Sequence, residues 1–360
     1  MLSMRDYRKN EEGLVAIVVA TIIMIILSLI TMGFARLMQG EQKQALDRSL
    51  STQAFYAAES AVNDVVRRIQ DENPVTRYTS DKTDCRPDAT FNGSVNSANA
   101  ASYSCLLIDQ APDTLEYTQG SIGITTSKVI PLHADTNVQI GSIKVAWEQS
   151  AGVTPTFSNS CPTTEPVAFP AFGSWAWTTG MMRLDLIPAD TLDRDSLINN
   201  TLSLFLYPCT GAGSVTSILY SAHSPTNAKG RVVPVRCASG AVPRDCELTI
   251  ELDAGAGAKN RLYYLRAKSI YRASDMTIRI YDTASPPNQL AIRGAQVQID
   301  STGKVNDVVR RVQVRVPVNK AYAVPEFVIE TTDSICKQIQ VAPAPANIVQ
   351  GVGPASTCPY

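Results

Sequence analysis

The hydrophobic positions of this chain fall into three regimes. From Leu14 to Ala35 they are continuous, and 22 residues pass without a charge. From Leu46 to Ile69 they recur every fourth position, as Leu46, Leu50, Ala54, Ala58, Val62 and Val66, with Ala57, Ala61, Val65 and Ile69 beside them. Gln53, Glu59, Asn63, Asp64, Arg67 and Arg68 fall largely between. Beyond Gly120 the apolar residues alternate with polar ones at period two.

The first regime predicts a membrane-spanning helix. At 1.5 Å per residue it covers roughly 33 Å, against a bilayer hydrocarbon core of about 30 Å. It is longer than the core of a secretory signal, and Arg36-Leu37-Met38-Gln39 after it offers no A-x-A cleavage pattern. The second regime is the stripe of an amphipathic helix lying on a core. It ends at Asp71-Glu72-Asn73-Pro74, where proline stops the helix. Leu14 to Asp71 therefore predicts one helix of 58 residues. Its length is roughly 87 Å, and Gly33 and Gly40 are soft points costing about 1 kcal/mol each relative to alanine.

The third regime predicts strands at residues 143–147, 182–186, 202–207, 217–220, 232–235, 248–252, 261–267, 276–281, 289–299 and 305–316, bounded by Gly, Pro, Asn or Asp. Ser301-Thr302-Gly303-Lys304 reads as a hairpin turn between the last two. Residues 75–120, rich in Asn, Ser, Asp and Thr, read as an irregular connector. No helical pattern of comparable strength intervenes between strands, which argues against a doubly wound α/β fold. The fold class is α+β: a long N-terminal helix, transmembrane then amphipathic, packed on a predominantly antiparallel β domain. The expected division is 1–13 leader, 14–35 transmembrane helix, 36–73 amphipathic continuation, 74–340 β-rich domain and 341–360 Pro-rich tail.

The leader, Met1 to Gly13, is short and polar, with Arg5, Arg8 and Lys9 against Asp6, Glu11 and Glu12, and a glycine abuts the apolar run. Together with the apolar helix and Ala54-Phe55-Tyr56-Ala57-Ala58-Glu59-Ser60-Ala61, this resembles a type IV prepilin-like protein. More narrowly it is similar to the PilX-type minor pilus-assembly proteins, over about residues 5–70. The resemblance implies that Gly13 is the last leader residue, cut by a prepilin peptidase at the cytoplasmic face. Leu14 would then become the mature N-terminus, often N-methylated in that family. Major pilins carry glutamate at the fifth mature position, paired with a neighbouring subunit's terminal amine, and here that position is Val18. A subunit lacking the charge is less suited to repetitive stacking and resembles those placed at a filament tip.

Eight cysteines, Cys85, Cys105, Cys161, Cys209, Cys237, Cys246, Cys336 and Cys358, all follow the apolar run. An even number confined to that part fits a disulfide framework in an oxidising compartment, which places the N-terminus in the cytoplasm and the β domain outside it. The pairing stays open. Proximity favours Cys237 with Cys246 and Cys336 with Cys358, and a disulfide-closed C-terminal loop is a pilin feature by analogy. No C-x-x-C and only two histidines make zinc improbable.

Charge changes the picture little: 32 Lys+Arg against 33 Asp+Glu excludes a strongly basic nucleic-acid surface. Candidate chemistry is sparse. His133 and His223 lack a clear triad setting, and Asp190, Asp193 and Asp195 lack the glycine and distal glutamate of an EF-hand. Asp253-Ala254-Gly255-Ala256-Gly257-Ala258 leads into a strand, with no helix N-terminus to hold a phosphate. Asn92 and Asn199 open glycosylation sequons, and Trp147, Trp175 and Trp177 read as core. No catalytic residue, cofactor or metal is expected.

The function expected is that of a non-enzymatic minor pilin or pseudopilin, assembling through its helix and presenting its β domain at the cell surface, at a filament tip. Its partners would be the cytoplasmic membrane, prepilin peptidase, other pilin subunits with the pilus assembly machinery, and a surface ligand or host cell. The rival reading is a membrane-anchored extracytoplasmic binding or enzymatic β domain on an uncleaved signal anchor. The two differ at Gly13.

Overall fold

The structure, a computed structural model, describes residues 7–71, 94–96, 101–134, 138–149, 161–162, 172–189, 200–220, 231–237, 246–253, 262–318, 340–341 and 348–349. One helix, α1 (Tyr7–Asp71, 65 residues), passes through Gly13, Gly33 and Gly40 without a break. The strands follow: β1 (Ser94–Asn96), β2 (Ala101–Asp109), β3 (Leu115–Ile122), β4 (Lys128–Ala134), β5 (Ser142–Gln149), β6 (Met181–Pro188), β7 (Leu202–Cys209), β8 (Ser217–Tyr220) and β9 (Arg231–Arg236). Then come β10 (Cys246–Leu252), β11 (Tyr263–Ile270), β12 (Ser274–Tyr281), β13 (Gln289–Leu290), β14 (Ile292–Arg293), β15 (Gln296–Val305), β16 (Val308–Pro317), β17 (Gln340–Val341) and β18 (Ile348–Val349). The fold is α+β, with one long apolar N-terminal helix and a β-rich domain.

Two six-stranded sheets form a sandwich. One has the order β13-β12-β5-β10-β8, with β3 also paired to β12; the other runs β14-β4-β11-β6-β7-β9. Their inward positions alternate as period two requires and fill one core, with Leu115, Val145, Trp147, Leu248 and Ile278 facing Ile130, Leu184, Leu204, Tyr263 and Leu265. Pairing is antiparallel except at two edges, where β8 joins β10 and β9 joins β7 in parallel. A third sheet, β1-β2-β15-β16, stands beside the sandwich and carries the helix. The segment 289–305, read as a strand and a turn, touches all three sheets in succession: β13 pairs β12, β14 pairs β4, and β15 pairs β2 and β16.

The helix lies on the third sheet by close approach. Ala54, Ala57, Ala58, Ala61, Val62, Val65 and Ile69 are buried, the larger ones against Tyr103, Leu106, Ile108, Val297 and Ile299. Each fully buried Val or Ile contributes roughly 1.5–3 kcal/mol. Under the alanines lie Ser301, fully buried, and Gly303. A Cβ at Gly303 would meet the Ala54 carbonyl and stand 2.5 Å from the Ala58 nitrogen.

This corrects the expected turn at Ser301–Lys304, which is strand interior in β15. Its residues are small because a helix backbone crosses them, the other reason for glycine in a strand. The hairpin turns two residues later, at Asn306-Asp307, with Asn306 left-handed at φ 50°.

The connector 75–120 is also corrected, since β1, β2 and most of β3 fall within it. Strand β2 escapes a period-two reading because the ladder slips between Thr302 and Gly303, so its buried Tyr103 and Leu106 stand three apart. Strand β4, outside the expected runs, places Ile130, Leu132 and Ala134 in the core.

The opposite face of the third sheet is polar and meets the sandwich through side chains bonded to backbone. The Gln296 amide accepts from the Glu116 N–H at 3.0 Å and donates to the Glu116 carbonyl at 2.8 Å. Arg315 donates to the Thr114 carbonyl at 2.7 Å and pairs with the Glu116 carboxylate at 3.4 Å. Gln296 thus caps the backbone of β3 where no strand continues the sheet.

Candidate functional site

Residues 13–49 of α1 are exposed throughout, and burial begins at Leu50. The exposed length is roughly 55 Å, well beyond a bilayer's hydrocarbon core. Among the described residues this is the one helix long and apolar enough to cross a membrane. Gly13, Leu14 and Val18 lie in its first turns, Leu14 68% and Val18 48% exposed. Polar side chains in the span serve their own helix: Thr21 donates to the Val18 carbonyl at 2.8 Å and Thr31 to the Ser28 carbonyl at 2.9 Å. Such back-bonding satisfies both threonine hydroxyls within the helix, as a lipid setting favours.

Leu46, expected at the head of the domain-facing stripe, is 59% exposed, because the sheet begins one turn further on. Exposed apolar side chains continue past the span: Leu37, Met38, Leu46, Phe55 and Tyr56. Eighteen residues make five turns, so Leu37 and Phe55 share one bearing of the helix and Met38 and Tyr56 another. The Phe55 and Tyr56 rings stand 6.0 Å apart, edge to face. Between them Glu41, Gln44 and Arg48 occupy the first bearing and Gln42, Ser49 and Thr52 the second, so Phe55 and Tyr56 form a separate exposed pair, beside or opposite the stripe that Ala54, Ala58, Ala61 and Val65 bury.

The remaining candidates are dispersed. Cys161 is bonded to Cys209 and Cys237 to Cys246, while Cys105 is also disulfide-bonded. Cys85, Cys336 and Cys358 lie outside the described residues, as do His223, Asp190, Asp193, Asp195, Asn92 and Asn199. His133 is half-buried in β4, opposite Arg293. Asp253 ends β10, its N–H bonded to the Tyr220 carbonyl at 3.2 Å, and the glycines after it are outside the described residues.

Trp147 is fully buried, donating to the Gly180 carbonyl at 3.0 Å. Trp175 stacks on Tyr271 at 4.3 Å with Trp177 edge-on, an aromatic cluster around the Cys161–Cys209 bridge. Buried Asp185 sits between Arg266 at 3.0 Å and Arg183 at 3.4 Å, a paired charge rather than a reactive one. Among the described residues, no group of three or more His, Cys, Asp or Glu side chains is placed to hold a metal.

Comparison of the chain with protein-family models, with curated proteins and with solved structures returns no match.

Proposed function

We propose that this protein is a minor pilin- or pseudopilin-like subunit, non-enzymatic, that is anchored in the cytoplasmic membrane and assembles through α1 with its β domain outside the cytoplasm. The observation that carries the reading is the exposed Phe55–Tyr56 pair, on helix surface well beyond the span and outside the stripe that the domain buries. Lipid does not reach Phe55, which stands twenty residues, roughly 30 Å, past the end of the apolar run. Exposed aromatics there are accounted for by neighbouring helices of other subunits. Val18, in place of the glutamate of major pilins, fits a subunit used once at a filament tip, presenting its domain for initiation or adhesion.

The N-terminus of the protein recovered from membranes tests the reading. A chain beginning at Leu14, left uncut when Gly13 is replaced by a bulky residue, is the expected result. Intact Met1-bearing protein from cells that contain a prepilin peptidase favours the rival, a β domain on an uncleaved anchor. Immunolabelling gives the position: tips and membrane are expected, with Val18→Glu raising incorporation along shafts. Continuous labelling along shafts by the wild-type protein overturns the tip assignment.

A further inference from the structure

At the seam between the third sheet and the sandwich lies a cleft of about 660 Å³, walled by β3, β4 and the ends of β15 and β16. That volume is in the range of small-molecule sites, about 300–1,000 Å³. Its construction is local and unusual. In the β3–β12 ladder Tyr117 opposes Met276 and Ile122 opposes Ser274, so Thr118, Gln119, Gly120 and Ser121 all face the single residue Asp275. Gln119 and Gly120 are left-handed, at φ 59° and 66°. The buried Asp275 carboxylate accepts from the Gly120 N–H at 2.6 Å and holds the bulge in place. A left-handed non-glycine residue costs of order 1–3 kcal/mol and persists where its surroundings over-determine it. The result is that Thr118 and Ser121 both turn to the cleft.

The charge in the cleft is equally specific. Glu116 is the one acid lining it, and Arg315 takes it up as an ion pair. Lys128 remains. Its ammonium stands 4.9 Å from the Tyr117 ring centre, half-buried, with no carboxylate within salt-bridge distance among the described residues. Burial lowers its pKa from the ordinary lysine value. The floor is spent: Gln296 is bonded to β3 on both sides of its amide, and the Arg315 guanidinium is engaged by Thr114 and Glu116. What the cleft offers a ligand is one positive charge, the Thr118 hydroxyl, the acceptor side of the Ser121 hydroxyl, whose proton goes to the Thr118 carbonyl, and the exposed Gln313 amide on its rim.

We infer that this cleft binds a hydroxylated monoanion, a saccharide unit bearing one carboxylate. One ammonium, with no second free cation and no nest of backbone N–H groups among the described residues lining the cleft, balances the single charge of a carboxylate and leaves a phosphate dianion half-neutralised. Hydroxyl and amide groups at the rim suit a polyol. The site stands on the domain's own geometry and holds whether or not α1 enters a filament.

The test is saturation-transfer NMR on the full chain in micelles of a detergent without a sugar headgroup, using D-glucuronate, D-glucose and inorganic phosphate as probes. Glucuronate is expected to receive saturation and glucose to receive little. Lys128→Met is expected to weaken glucuronate by about tenfold, the size of one charge-assisted hydrogen bond, while Lys128→Arg retains it. Thr118→Val with Ser121→Ala, which leaves the charge in place, is expected to weaken it also. Near-UV circular dichroism of the buried tryptophans separates lost binding from lost folding. No transfer to glucuronate, equal binding by a folded Lys128→Met variant, or displacement of glucuronate by millimolar phosphate would each overturn the assignment.

Discussion

The third sheet has two seams, and they are made by opposite means. Toward α1 it presents Val297, Ile299, Ser301 and Gly303, and the helix answers with alanines and valines, so the backbones approach; at the exposed edge Arg310 donates to the Ser51 hydroxyl at 2.7 Å. Toward the sandwich it presents Gln296 and Arg315, whose side chains reach across to bond the backbone of β3. The first seam is apolar and non-directional in its buried part and intolerant of added volume there. The second is directional and tolerant of volume, but each of its bonds leaves a buried polar partner stranded if removed. The comparison teaches that the helix is attached by shape and the sheet is oriented by hydrogen bonds.

Substitutions graded across the two seams break or sharpen this contrast. Gly303→Val should have the largest effect, about 4 kcal/mol or more, because its side chain would lie where the helix backbone is. The expected signature in a denaturant titration is early release of α1 with the tryptophan signal of the sandwich unchanged. A single transition shifted as a whole would instead mean that helix and sandwich unfold together. Ile299→Ala leaves a cavity under the same helix and should cost about 3 kcal/mol, with the same order of events.

Smaller effects are expected on the polar side. Gln296→Ala strips both partners from the half-buried backbone of Glu116 and should cost about 2 kcal/mol. Hydrogen exchange at the Glu116 amide, faster in this variant and unaltered in Ile299→Ala, is the discriminating measurement. Arg315→Ala should cost roughly 1 kcal/mol, since its guanidinium is partly exposed and its ion pair is long. Part of that loss should vanish in 0.5 M salt, where the Gly303→Val effect persists; salt dependence of both to the same degree would erase the distinction between the seams.

Much of this architecture was legible in residue patterns. The uncharged run from Leu14 to Ala35 and the fourfold spacing after it carry a helix wherever they fold, because backbone hydrogen bonds within a helix need no partner. The alternation in β5, β6, β10 and β12 likewise records one face in the core and one less buried face, exposed at Glu247 and Glu251 of β10. The bulged strands were not legible: β2 breaks period two at its slip opposite Thr302 and Gly303, and β3 turns through Gln119-Gly120. Nor was the cleft, since Ser121 and Lys128 meet Gln313 from a distant stretch and form no motif with it.

By itself, then, the sequence determined the kinds of element: a helix too long and apolar for a globular core alone, period-two strands, and cysteines kept to one side of the anchor. Only the tertiary structure decided what those elements were for. Gly303 reads as a turn residue until a helix is laid across it, and Leu46 reads as core until the sheet is seen to begin further on. The physical reason is that hydrogen bonding and side-chain periodicity are local and written residue by residue. Volume and charge complementarity belong to pairs of surfaces, and those pairs exist only after folding has brought distant segments together.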